Sequence, residues 1–206
     1  MNLKNTLCRH TSALKLAAMA LSILLLQACA GNAPRKPASL SASIMSPFQN
    51  LDPGYSFLQE INGSGLTRNI VWVYKGEEDG LYRWDLFRDS NTDGDPWQTQ
   101  WFNEHGAMVR YEQSLSTATW SPHNCFRVIG ECEFQYTDPY GFENAYVREG
   151  SFDGRTWSYK LYRLNEDNRH LISNGDVRFN QAGIEVFHES YMDNNGHQIA
   201  RVTRFF

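Results

Sequence analysis

The chain is poor in thiols. It has four cysteines in 206 residues, and none forms a Cys-x-x-Cys pair, which leaves no dithiol redox motif and a poor set of zinc ligands. It also lacks a basic excess, with 19 Lys and Arg against 23 Asp and Glu. Nucleic-acid binding needs a basic face, and anionic lipid attracts clustered Lys and Arg; neither is present. The N-terminal apolar run, Leu16 to Leu26, has eleven residues, too few to cross a bilayer as a helix, which takes about 20. No Gly-x-Ser-x-Gly nucleophile elbow occurs, and Gly63-Ser64-Gly65 is too short a signal for one. After Pro53 no window of twelve residues carries a helical apolar stripe.

Aromatic residues are plentiful: 12 Phe, 10 Tyr and 6 Trp. They favour strands, where rings pack across the ladder. Tyr82, Trp84 and Leu86 alternate with Arg83 and Asp85. Trp157, Tyr159 and Leu161 alternate with Ser158 and Lys160, and Ile184 and Val186 flank Glu185. This period of two predicts strands with one buried and one wet face. Ile70 to Tyr74 is continuously apolar, as in a strand covered on both sides. A polar-x-x-Gly turn recurs at Glu77–Gly80, Asn91–Gly94, Asn103–Gly106, Ser151–Gly154, Asn180–Gly183 and Asp193–Gly196. Each predicts a type I turn closed by a left-handed Gly in a hairpin. Two copies lie in a longer similarity between Phe102–Glu112 and Phe179–Glu189, which marks either an internal duplication of a sheet-forming half or, the favoured reading, convergence on shared hairpin chemistry. The fold class is therefore all-β: an antiparallel up-and-down meander forming a curved sheet or a lipocalin-like barrel of eight to eleven strands.

The N-terminus sets the address. Lys4, Arg9 and Lys15 precede the apolar run, which ends in Leu26-Gln27-Ala28-Cys29. This ending resembles the lipobox of bacterial lipoproteins. The resemblance implies cleavage before Cys29, lipidation of that cysteine and, because Ala30 is not Asp, export to the outer membrane. Residues 1–28 are then a lipoprotein signal peptide. Residues 29–46 are a lipidated cysteine and a Pro-, Ser- and Ala-bearing tether with too little apolar surface to order itself. Residues 47–206 are a single all-β domain. Without Lys4, Arg9 and Lys15, 16 basic residues remain against 23 acidic ones, a net charge near −7. The expected partners are the membrane, through the N-terminal lipid, and an envelope protein on the periplasmic side.

Candidate sites are few. Cys125 and Cys132 remain in an exported, oxidising setting, and pairing Phe126 with Glu131 around Arg127–Gly130 would set them opposite each other on a hairpin as a disulfide. Asp89, Asn91, Asp93 and Asp95 space oxygens as a calcium loop does, with Gly94 at the sixth position. Gln100 stands where a bidentate Glu is needed, so the expectation is a hairpin turn without a high-affinity metal. His105, His123, His170, His188 and His197 have no metal-ligand spacing. Asp85, Glu112 and Glu189 are strand carboxylates that a glycosidase reading would have to bring together. The six tryptophans, Trp72, Trp84, Trp97, Trp101, Trp120 and Trp157, suit a core, a sugar platform or the wall of an apolar cavity.

No catalytic set or cofactor motif stands out. The leading expectation is a non-catalytic, lipid-anchored envelope protein acting as a binding or assembly subunit. The alternative is a carrier of a lipid or other apolar ligand in a curved-sheet cavity; an envelope enzyme on cell-wall or sugar substrates comes third. A carrier requires an incompletely filled interior, a subunit an apolar patch or open edge, and an enzyme convergent titratable groups.

Overall fold

The computed structural model describes residues 48, 50–89, 92–165, 168–194 and 196–206. The predicted signal peptide 1–28, Cys29 and the tether 29–46 lie outside the described residues. Twelve strands follow one another: β1 (Ser56–Gly63), β2 (Leu66–Glu78), β3 (Leu81–Arg88), β4 (Gln98–Phe102), β5 (Met108–Gln113), β6 (Ser116–Ser121), β7 (Gly130–Thr137), β8 (Glu143–Phe152), β9 (Thr156–Asn165), β10 (Asn168–Phe179), β11 (Glu185–Met192) and β12 (His197–Phe205). Each pairs antiparallel with its neighbours in sequence, and β12 closes the ring on β1 through pairs such as Ile61↔Ala200. Of the two forms left open by the sequence, the chain takes the closed barrel.

The barrel has more strands than expected because several hairpins use other turn chemistry. Gly63 pairs with Leu66 around Ser64 and Gly65, both at positive φ (51° and 76°), and Gln113 pairs with Ser116 around Ser114 at 54°. These two-residue turns twist with the strands they join and need no polar-x-x-Gly signature. Asp138–Gly141 is a further copy of that signature: Asp138 Oδ1 accepts from the amides of Tyr140 and Phe142, with Gly141 at φ 84°. Asn103 and Asn180 behave as the sequence implies. Each side chain accepts from the amide four residues on, at 2.9 Å, and Gly106 and Gly183 are left-handed. Ser151–Gly154 does not: Phe152 pairs with Trp157, so Gly154 opens a tighter turn capped by Asp153. At Glu77–Gly80 the turn is likewise tighter, with Glu78 opposite Leu81 and both Asp79 and Gly80 at positive φ.

An up-and-down ring places alternate connections at opposite ends. The β2–β3, β4–β5, β6–β7, β8–β9 and β10–β11 connections define one end, the base; the others define the rim. A ring of this many strands encloses more space than its inward side chains fill. Two segments enter from the base. Phe48 packs against Tyr82, Trp84 and Phe102 at ring-centroid distances of 5.3–5.7 Å. The β6–β7 connection, residues 122–129, folds inward as a plug: Cys125 is fully buried and Val128 nearly so.

Several bonds hold the plug. Asn124 exchanges hydrogen bonds with the backbone of Met108, its amide donating to the carbonyl and its Oδ1 accepting from the amide. Trp157 Nε1, on a side chain with no exposure, donates to Val128 O at 3.1 Å. Gly150 makes that approach possible, since a Cβ there would stand 2.1 Å from Val128 O. Cys125 and Cys132 are joined, Sγ to Sγ, at 2.01 Å. The route differs from the hairpin read in the sequence. β7 begins only at Gly130 and pairs with β6 from Ser121↔Gln135 to Thr119↔Thr137, so Cys125 lies in the plug and not on a ladder. The bond fastens the plug to the barrel wall.

Candidate functional site: the barrel interior

Between the plug and the strands remains a cavity of about 340 Å³, at the small end of the roughly 300–1,000 Å³ usual for ligand pockets. Its walls differ in character. β1–β4 supply Phe57, Trp72, Trp84 and Phe102. Phe57 and Trp72 stack at 5.7 Å, and Trp72 Nε1 donates to Gln59 Oε1 at 3.0 Å. Across the cavity, β8, β9 and β11 present Arg148, Tyr159, His188 and Ser190, while Phe126 and Arg127 of the plug and Ile184 cover the base. The lining reaches Gln198 near the start of β12, in the half closer to the rim.

Period two explains most of this wall. Arg148 stands opposite Cys132 and Leu161, on the face that carries Phe134 and Tyr159 inward. Gly175 lies opposite Tyr159 and Ser190; a Cβ there would come within 3.1 Å of the Tyr159 ring, so its absence gives the ring its bed. Glu185 and His188 are three apart and would face opposite ways on a regular strand. Both reach the cavity because Arg178 pairs with Phe187 but Phe179 with Glu185, leaving Val186 as the extra residue of a bulge.

These groups form a chain. His188 Nδ1 lies 3.2 Å from Glu185 Oε1, and His188 Nε2 lies 3.0 Å from Tyr159 Oη. Burial pulls His188 down, but the Glu185 carboxylate more than offsets it and holds the imidazole above its ordinary pKa. Burial pushes the Tyr159 phenol up. Arg127 is 3% exposed; its Nη2 donates to Gly183 O at 2.6 Å and its guanidinium lies 4.1 Å from the Phe179 ring centroid. Arg148 lies 5.2 Å from the Tyr159 centroid. Burial pulls both guanidinium groups down to about 10, with Glu185 partly opposing this at Arg127. Both therefore stay charged at neutral pH. In each, Nε and Nη1 are shielded from solvent without a hydrogen-bond partner, as is Trp84 Nε1; Gln100 Oε1 is the corresponding acceptor in this wall.

The residues singled out in the sequence lie mostly elsewhere. Cys29 is outside the described residues. Asp89, Asp93 and Asp95 are exposed on the β3–β4 connection, and Asn91 is outside the described residues. Asp85, Glu112 and Glu189 occupy the opposite strand face from the cavity: Asp85 accepts from Thr99 and Arg83, and Glu189 from His197 and Tyr191. Among the described residues lining the cavity, Glu185 is the carboxylate. His105, His170 and His197 are exposed beside Glu104, Asp193 and Glu189. His123 accepts the Cys125 amide at Nδ1, and burial lowers its pKa. Among the described residues, the three-residue set close enough for a metal is His123, Cys125 and Cys132, whose sulfurs are spent on each other. The tryptophans divide: Trp72 and Trp84 wall the cavity, Trp157 holds the plug, and Trp101 lies on the outer face with the Arg110 guanidinium 3.8 Å from its ring.

No protein-family model matches this chain, and neither does any curated protein. Two solved structures are similar. An exported protein with a YmcC-like fold from Bacteroides fragilis is 8% identical, covering 75% of this chain and 96% of its own, with a TM-score of 0.44. A lipoprotein from Parabacteroides distasonis is 10% identical, covering 83% of this chain and all of its own, with a TM-score of 0.40.

Proposed function

We propose that this chain is a lipid-anchored, non-catalytic protein of the bacterial outer membrane that faces the periplasm and holds a small amphiphilic ligand inside its barrel. The cavity of about 340 Å³, aromatic on one wall and polar on the other, carries the reading. A barrel built only as a scaffold gains from filling such a void, since empty volume forfeits packing contacts. The plug supports the same view, because it closes the base with buried bonds and leaves space above itself. A saturable site for a naphthylamine dye, read by energy transfer from Trp72 and Trp84 in the full chain in lipid nanodiscs, tests it. Ala200 lines the cavity and is 7% exposed. Ala200→Phe should weaken the dye while the far-UV spectrum stays the same; equal binding by both, or none above empty discs, contradicts the reading.

A second reading, docking to an envelope protein, rests on the rim. Leu66, Leu115, Tyr140, Phe142, Tyr191 and Met192 are exposed large apolar residues at or beside rim connections. Ring closure pairs every strand on both sides, so sheet-edge addition is replaced by contact through this apolar fringe. Crosslinks from Leu115 and Phe142 to one partner protein, lost when both become Glu, test it.

A further inference from the structure

The cavity's buried polar atoms without partners are unequal in kind. Arg127 and Arg148 each contribute two N–H nitrogens and Trp84 one, against a single acceptor, Gln100 Oε1. Buried donors are ordinarily satisfied, and a buried charge ordinarily meets its counter-charge. Here Glu185, the lining's carboxylate, is engaged by His188 at 3.2 Å. It lies close enough to act on Arg127 electrostatically. Arg148 has aromatic rings around it, those of Tyr159, Phe134 and Trp157 at 5.2–5.9 Å, and no carboxylate partner among the described residues. Ring faces partly offset a cation, but they supply no acceptor to its N–H groups. Two guanidinium groups thus border one small space with a single negative charge between them.

Building on the ligand-binding reading, we infer that the ligand carries an oxyanion, a carboxylate or a phosphate, held by Arg148 and Arg127, with its apolar part against Phe57, Trp72, Trp84 and Phe102. The division of the walls fixes the orientation. The cationic side chains come from β8 and the plug, with Tyr159 and Phe126 beside them, and the larger aromatic group, Phe57, Trp72, Trp84 and Phe102, comes from β1–β4 across the cavity. The anion supplies the negative charge that the described lining, with Glu185 as its carboxylate, leaves short of its two guanidinium groups. Arg148 is the more discriminating of the two. Arg127 also braces Gly183 O and stacks on Phe179, whereas Arg148 Nε and Nη1 have no hydrogen-bond partner among the described residues.

The test uses the full chain in lipid nanodiscs, with empty discs as the blank, and three probes of one chain length: octanoate, monooctyl phosphate and 1-octanol. Calorimetric titration should give one saturable site for at least one anion, bound about tenfold or more tighter than octanol, since a hydrogen-bonded charge pair in a shielded site is worth that much. The preferred anion identifies the headgroup. Arg148→Met should erase that preference without weakening octanol, and Arg148→Lys should restore part of it. A buried charge without a partner is replaced by an apolar side chain at little cost, so the unliganded Arg148→Met chain should melt no lower than wild type. That result separates a ligand-binding arginine from a bracing one. Equal binding of octanol and both anions, or anion binding indifferent to Arg148→Met, overturns the oxyanion inference and leaves the ligand-binding reading standing. Failure of all three probes to bind overturns both.

Discussion

Replacing Gly150 by Ala should unseat the plug. The new methyl carbon would stand 2.1 Å from Val128 O and 2.8 Å from Trp157 Nε1, and both neighbours are rigid. Val128 O is backbone, in a segment tied down by the Cys125–Cys132 bond, and Trp157 has no exposed surface into which to swing. Forcing a methyl into so filled a place costs about 1–3 kcal/mol. Lifting Val128 breaks the 3.1 Å bond from Trp157 Nε1 and strands a buried donor, which costs about 1–3 kcal/mol more. The smaller backbone entropy of unfolded Ala returns about 0.5–1 kcal/mol. The net loss is about 3 kcal/mol, or roughly 6–12 °C in Tm for a domain of this size. Thermal melting followed by far-UV circular dichroism measures it, with Ser151→Ala, at the exposed neighbouring position, as control. In a Trp157→Phe background the penalty should shrink, because the bond is already gone. If Gly150→Ala melts within about 2 °C of the Ser151→Ala control, the plug is not seated where described.

Other outcomes follow from the same contacts. Cys125→Ser with Cys132→Ser should cost about 2–3 kcal/mol, as expected for a short closed loop, and should speed hydrogen exchange of the Trp157 indole; unchanged exchange would show that the bond does not fasten the plug. His188 is held above its ordinary pKa of 6.5 by Glu185 against the pull of burial, so its contribution to stability is complete below about pH 6.5 and is lost as pH rises through the higher folded value. The difference in Tm between wild type and His188→Gln should therefore narrow from about pH 6 to about pH 9, a comparison that cancels the opposite drift from His123; a difference that widens contradicts the assignment. Cys29→Ser should leave the chain uncleaved or free it from the membrane fraction, and retention with normal processing would remove the lipid anchor from the account.

The sequence carried the local rules well. Asn103 and Asn180 announced their turns because an Asx side chain and a left-handed Gly act within five residues. Trp84, Leu86, Trp157 and Tyr159 showed their inward face by simple alternation. The plug was hidden because Phe126-to-Glu131 also reads as a hairpin, and only the pairing of β7 with β6 and β8 decides against it. The site was hidden for a related reason. In Val147-Arg148 the apolar residue invites an inward reading and the charged one an outward reading, yet the register reverses them. Val147 is fully buried on the outer face, between Glu133 and Tyr162 in the ladder, and Arg148 turns into the cavity. Glu185 and His188 meet only through the bulge at Val186. An inward arginine is paired or unpaired according to what lies across the barrel, a relation between distant strands that spacing along the chain does not record.

Native mass spectrometry of the chain extracted from its own membranes in detergent-free lipid discs tests the central claim most directly. Wild type should leave the disc with one bound non-protein molecule per barrel, and negative-mode fragmentation should identify it as an acidic amphiphile. The Arg148→Met chain, folded and equally abundant, should leave without it. A wild-type barrel that emerges bare, or one that brings the same molecules as Arg148→Met, would contradict the account.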